Sequence, residues 1–249
     1  MVGVTLLHGR PGITRLFALH MADIGVPWVA AVTEGDEACI AIAKEFAHKY
    51  VEISNDRLDK KWNNAMVISR GMGKAVILGS DDLVSKEWLD YLEDKEFDYA
   101  LPMSTAFLDM ETERVAVLEA SHVSPKTGRA PRFGAGRVVA EHAIEHCKWR
   151  TGARRGLDGN NYRMLRARKL LGTSFDFPRI PVTDLKTPDN TWQYDQLLER
   201  GRPGTMDEAL WMCSPAIRDE VLSFARSCGT ASATEQPSSP ASHSPGPEE

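Results

Sequence analysis

The sequence predicts an α/β fold: one domain with a mostly parallel central sheet, antiparallel strands beyond it, and a helical C-terminal part. Three observations predict it. Short aliphatic runs alternate with amphipathic stretches from residue 2 to about residue 99, the pattern of strands covered on both faces by crossover helices. After Tyr99 the alternation stops, and ALPMSTAFLDM and VAVLEA flank the turn ETER, which reads as antiparallel pairing. From about 206 to 227 the apolar spacing is helical again.

The elements follow in order. VGVTLLH (2–8) reads as a buried strand and GRPG as a turn. Ile13, Leu16, Phe17 and Ile24 make a helical stripe. VPWVAAV (26–32) is a second strand, and Cys39, Ile42, Ala43, Phe46, Ala47 and Tyr50 recur at helical spacing. YVEI (50–53) is a short third strand, residues 59–70 a helix, and AVILG (75–79) a fourth strand, with a helix expected just after Asp82. The middle of the chain reads as loops and helices.

Composition narrows the class. The chain has 249 residues, 42% hydrophobic and 26% charged, enough for one sizeable core or two small ones. No apolar run approaches the ~20 residues that span a bilayer. MVGVTLLHGRPG lacks the build of a secretion signal, so a cytoplasmic protein is expected. Cys39, Cys147, Cys213 and Cys228 are far apart, with no CxxC pair; free thiols are the expectation. The segment 229–249 has no Leu, Ile, Val or aromatic residue and is expected to be disordered. It carries three glutamates and no Lys or Arg, so without it the formal charge of −5 becomes −2. From His122 to Leu170, twelve Lys/Arg face three acids, a local +9 against −14 elsewhere. That stretch is either a solvated face balanced by acidic neighbours or a surface for a phosphate-rich partner.

In parallel α/β sheets, ligands sit beyond the carboxyl ends of the strands. Four such ends are polar: His8-Gly9-Arg10, Thr33-Glu34-Gly35-Asp36, Ser54-Asn55-Asp56 and Ser80-Asp81-Asp82. The adjacent Asp81 and Asp82 repel unless a cation lies between them or one caps a helix. Asp81 is the expected ligand to Mn²⁺ or Mg²⁺, with Asp82 a further ligand, a cap or a supporting group.

With KKWNNAMVISRGMGKAVILGSDD, these features resemble the nucleotide-sugar-binding half of GT-A-fold glycosyltransferases, particularly family 2. The order of features matches over about residues 2 to 200. The family's metal motif is usually Asp-x-Asp; here Gly79 stands where the first aspartate would be. The resemblance implies a nucleotide-sugar donor, most often a UDP-sugar. It gives His8 and Arg10 to the base, Glu34 to base or ribose, Lys61 and Asn64 to the length of the nucleotide, and Ser80 and Asp81 to the diphosphate side. FGAGRVV brings Gly136 to the donor sugar. In RRGLDGNNYRML, Leu157-Asp158 matches the Glu-Asp motif, with Asp158 as general base or simply a helix cap. PVTDLKTPDNTWQYD, with Asp184, Lys186 and Trp192, matches a segment closing over the diphosphate. The halves would be 1–121 for the donor and 122–228 for the acceptor and C-terminal helices.

The basic stretch overlaps the family's acceptor side, which offers Arg132, Arg137, Arg154, Arg155 and Arg163 to a polyanion. Double-stranded DNA with hydroxymethylated bases, as in some phages, fits that charge. Two other classes stay open. Sugar-nucleotide pyrophosphorylases use a related sheet but begin with a longer Gly-rich loop, which HGRPGITR lacks. A non-catalytic nucleic-acid-binding module on a degenerate transferase fold is the other. Release of nucleotide from a donor separates an enzyme from a binder.

Overall fold

The computed structural model describes residues 1–120, 134–149, 157–187 and 194–234. Strand β1 (Val2–Leu7) leads through a turn into helix α1 (Pro11–Asp23). Pro11 suits the first helical turn, where no partner exists for an N–H. Then come β2 (Trp28–Thr33), α2 (Glu37–Phe46), β3 (Lys49–Ile53), α3 (Leu58–Ile68) and β4 (Ala75–Ile77). The alternation legible in the sequence is therefore present, and β1 pairs in parallel with both β2 and β4, as β2 does with β3.

Beyond β4 the chain departs from the expectation. Asp82 does not open a helix. It begins β5 (Asp82–Val84), and α4 (Lys86–Glu93) starts four residues later with Ser85 as its cap, whose hydroxyl accepts from the Trp88 N–H at 3.2 Å. Asp82 instead accepts from the Gly79 N–H. The capping role given to Asp82 is thus filled by Ser85, and Asp82 tightens the turn before it.

Strands β6 (Tyr99–Pro102), β7 (Ser104–Asp109) and β8 (Val115–Glu119) follow, with β7 and β8 antiparallel as expected. Part of the basic middle is strand rather than loop and helix: β9 (Arg137–Val139) inserts between β4 and β6, antiparallel to both. Three residues are too few to carry a periodic signal. The chain continues through a 3₁₀ segment (Glu141–His146), α5 (Leu157–Ala167), β10 (Gly172–Phe175), β11 (Val182–Lys186), α6 (Tyr194–Leu198), β12 (Arg202–Gly204), α7 (Met206–Leu210) and α8 (Pro215–Thr234). Helix α8 runs past Gly229, into the segment expected to be disordered; its added residues, GTASAT, contain the good helix former Ala twice. Residues 235–249 lie outside the described residues.

Two sheets result. The larger has the order β10-β6-β9-β4-β1-β2-β3 and is parallel apart from β9; the smaller has the order β12-β8-β7-β11-β5. Alternation along the strands divides the core. Trp28, Ala30 and Val32 face Phe17, Met21 and Ile40 on one side of the larger sheet. Val2, Val4, Val29 and Ala31 face Ala65, Met66 and Leu165 on the other. Leu83, Leu108, Val117 and Leu185 of the smaller sheet pack against Ile13, Leu16, Leu210, Ile217 and Val221. Each such side chain, if fully buried, contributes about 1.5–3 kcal/mol. The molecule is a mixed α/β single domain with a mostly parallel central sheet. Among the described residues no helix is long and apolar enough to cross a membrane.

Candidate functional site

The turn between β4 and β5 and the middle of β11 meet at the boundary of the two sheets. In the antiparallel pairing of β11 with β5, Asp184 lies opposite Asp82. The carboxylates of Asp81, Asp82 and Asp184 come together there, with one oxygen from each within 4.8 Å of the others. Three fixed donors hold them. Arg10 Nη1 donates to Asp81 Oδ2 at 2.9 Å, Lys186 Nζ to Asp184 Oδ2 at 2.6 Å, and the Gly79 N–H to Asp82 Oδ2. The Asp184 Oδ1 atom is buried with no hydrogen-bond partner among the described residues.

Among the described residues, three carboxyl groups meet two cationic side chains here. Burial pushes the Asp184 carboxyl up to about 6; Lys186 opposes the rise and Asp81 adds to it. Asp82 is raised well above the carboxylate range by burial, then by Asp184 and Asp81. Burial would lower the Lys186 ammonium, but Asp184 and Asp81 beside it prevail and raise it. Hard oxygen donors brought together, with one buried oxygen lacking a hydrogen bond among the described residues, are what a divalent cation such as Mg²⁺ or Mn²⁺ can use. The residues therefore fit one, with Asp81, Asp82 and Asp184 as its holders.

Gly79 has a physical reason to be glycine. A Cβ there would lie 2.4 Å from Asp81 Oδ1 and 3.1 Å from Asp82 Oδ2. An acid at that position would occupy the space the other two use. The third carboxylate comes from β11 instead. The sequence names Asp184 only within a closing segment; its place beside Asp81 depends on a pairing across about a hundred residues.

The remaining site residues distribute as follows. Arg10 is in the cluster, as is Lys186. Ser80 is buried in the same turn. His8 lies exposed at the end of β1, and Glu34 exposed at the end of β2. Asn64 turns back on its own helix, donating to Lys60 O at 2.8 Å. Lys61 is fully buried and so does not lie along a ligand. Gly136 has φ +73°, and a Cβ there would meet Val182 Cγ2 at 2.2 Å, so only glycine lets this turn pass β11. Arg137 is fully buried and donates to Asn161 Oδ1; it offers no surface to a polyanion. Arg163 is exposed on α5, and Asp158 lies in the first turn of the same helix. Arg132, Arg154, Arg155 and Trp192 lie outside the described residues, as does the Asp158 side chain.

The rim beside the cluster is ordered by backbone donors. Asp36 accepts from the Gly9 N–H at 2.7 Å and the Cys39 N–H at 3.2 Å, joining the turn after β1 to the start of α2. Burial would raise its carboxyl, but those amides outweigh burial and lower it.

No family model matches the chain, and no curated protein does. Solved structures do. The inositol-1-phosphate CTP transferase from T. maritima has a TM-score of 0.50 and 14% identity, over 80% of this chain and 95% of that one. A 4-diphosphocytidyl-2C-methyl-D-erythritol synthase has 0.49 and 7%, over 75% and 92%. A putative glucose-1-phosphate thymidylyltransferase from Bacillus anthracis has 0.45 and 12%, over 71% and 87%. At these identities the likeness is one of fold. The T. maritima structure is named as a CTP transferase; the likeness supports a related α/β fold and does not confirm the narrower family 2 resemblance.

Proposed function

We propose that this chain is a divalent-metal-dependent nucleotidyltransferase. It would move a nucleoside monophosphate from a nucleoside triphosphate to a phosphorylated small-molecule acceptor, such as a sugar phosphate, and release pyrophosphate. The observation that carries the reading is the cluster of Asp81, Asp82 and Asp184 flanked by Arg10 and Lys186. Two phosphate-bearing reactants bring several negative charges to one place. A cation between the three carboxylates would neutralise phosphate charge and polarise a phosphoryl oxygen. Arg10 enters from the β1 turn and Lys186 from β11. Each can exchange part of its carboxylate contact for a phosphate oxygen. An acceptor phosphate is already anionic at neutral pH, so its attack needs no proton removed first. The fold likeness to the T. maritima CTP transferase agrees with this chemistry.

Glycosyl transfer from a nucleotide sugar is the second reading. Both readings share the carboxylate cluster; the Gly136 turn packs directly on Val182 of β11, so Gly136 adds nothing to this one. The same carboxylates would then serve the donor's pyrophosphate, with Asp158 as the base for a hydroxyl acceptor. DNA gains no support as that acceptor, because Arg137 is buried.

One assay separates the readings. CTP, UTP, TTP, ATP and GTP are each incubated with Mg²⁺ or Mn²⁺ and a panel of sugar-1-phosphates, and pyrophosphate is measured. A parallel series uses nucleotide sugars with hydroxyl acceptors, and free nucleoside diphosphate is measured. Pyrophosphate release that falls at least about 100-fold in Asp184→Asn and Asp81→Asn supports nucleotidyl transfer, since lost charge stabilisation at a transferring phosphate is worth several kcal/mol. Diphosphate release from nucleotide sugars alone replaces it with the second reading. Release undiminished in both variants removes the cluster from the chemistry.

A further inference from the structure

Lys61, on α3, is a charged side chain with no exposed surface. Its Nζ makes three hydrogen bonds, all to neutral oxygens: Leu7 O at 3.1 Å, Thr33 Oγ1 at 2.7 Å and Asn55 Oδ1 at 3.2 Å. These come from the end of β1, the end of β2 and the loop after β3. Burial pushes the ammonium down to about 8, against the smaller opposing pull of Asp36 and Cys39. At neutral pH it is still protonated. All three of its hydrogens are then used, and it can accept nothing.

This has a consequence two bonds away. Because the ammonium only donates, the Asn55 amide must present its oxygen to Lys61. Its nitrogen is then turned to His8 Nε2, 3.0 Å away. An amide nitrogen only donates, so His8 Nε2 must accept and cannot carry a hydrogen. The hydrogen of the neutral ring is left on Nδ1, which donates to Thr33 Oγ1 at 3.1 Å. Thr33 accepts from both His8 and Lys61, and its own hydrogen goes to Leu7 O or Asn55 Oδ1, each at 3.3 Å. Every donor in the network then has an acceptor. Turning the amide over would set its NH₂ against the ammonium. Moving the imidazole hydrogen to Nε2 would set it against the amide nitrogen. One arrangement satisfies all four residues.

We infer that Lys61 is a positioning residue: acting through Asn55, it locks His8 in the Nδ1–H tautomer and fixes its ring at the rim of the site. Both ring nitrogens are spent inside the protein. What His8 presents outward is its ring face and carbon edge. That surface takes a flat ring, as of a nucleobase, rather than a phosphate. The tautomer stands on these hydrogen bonds and a protonated Lys61; its use against a nucleotide rests on the function proposed above.

The tautomer is read directly from ¹⁵N-labelled full-length protein at pH 7, without ligand, by long-range ¹H–¹⁵N correlation of the imidazoles. His8 is assigned by its loss in His8→Gln. The wild type is expected to show a protonated Nδ1 and a bare Nε2. Asn55→Asp keeps an oxygen toward Lys61 and turns a second oxygen to His8, so Nε2 is expected to take up a proton. Lys61→Met frees the amide, and the single tautomer is expected to become a mixture. A bare Nδ1 in the wild type, or a His8 unchanged in Asn55→Asp, overturns the inference even if Lys61→Met fails to fold. The second measurement is affinity for Mg²⁺ with CTP, UTP, TTP, ATP or GTP. Asn55→Asp is expected to weaken the best binder about tenfold, the value of one charge-assisted hydrogen bond or its loss. Unchanged affinity with a switched tautomer removes His8 from ligand contact. If the wild type binds no nucleotide while the tautomers behave as stated, the proposed function fails and the positioning role stands.

Discussion

Asp184 carries the site's electrostatic tension, and its titration is the measure of it. Its folded value of about 6 lies above the ordinary 3.8. The stability this group contributes is therefore fully present below about 3.8 and lost as the pH rises through 6. That is the reverse of an exposed, salt-bridged carboxylate. Asp184→Asn keeps the neutral form at every pH and leaves two carboxylates facing Arg10 and Lys186. The variant is expected to melt higher than the metal-free wild type at pH 7.5, with the gain vanishing near pH 4. In a chain of this size each kcal/mol gained raises the midpoint by about 2–4 °C. Mg²⁺ should raise the wild-type midpoint at pH 7.5 and leave the variant's where it is. A variant that melts lower at pH 7.5 would mean that the hydrogen bond to Lys186 outweighs the repulsion.

At the scale of elements, the segment from Gly79 to Ser85 shows what local pattern can and cannot carry. AVILG reads as a strand and SDD as a polar strand end, and both are so used. The helix after them is also legible, but its start is not. Ser85 and Asp82 are both good caps by residue type, and only pairing with β11 decides between them by holding residues 82–84 extended. Ser85→Ala is expected to cost about 1 kcal/mol, the usual worth of a cap, in urea unfolding. Asp82→Asn should leave the α4 end intact; a larger loss of helix there than in Ser85→Ala would return the capping role to Asp82. The same distance limit explains the site. Asp81 and Asp82 stand out as adjacent acids, and Arg10 as a cation after a strand. That Asp184 joins them depends on a strand register set about a hundred residues away. Lys61 was legible as a rim residue but not as a buried one, because its three acceptors belong to three separate strand ends. Strand β9 was hidden by its brevity and by the charge on either side of it.

For the whole molecule, the two sheets share one core through α1, which packs Phe17 and Met21 toward the larger sheet and Ile13 and Leu16 toward the smaller. Helix α8 closes the second interface, with Phe224 so near Gly12 that a Cβ there would lie 2.6 Å from its ring. The donor and acceptor halves expected from the sequence are thus joined by buried apolar contact along α1. Unfolding should be one cooperative transition. Ile217→Ala, in the shared core, is expected to cost about 2–5 kcal/mol and to shift the transitions seen by near- and far-ultraviolet circular dichroism together. Two separated transitions in that variant would mean that the smaller sheet and α8 unfold on their own.

The pairing of β11 with β5 has a consequence beyond chemistry. Were a cation gripped by Asp82 and Asp184, it would clasp two points about a hundred residues apart and act as a reversible tether on the chain between them. Closing such a loop costs an unfolded chain entropy that grows slowly with its length. Loading the ion would therefore slow cutting by proteases throughout that span, far from the ion itself, and chelation would restore the cutting.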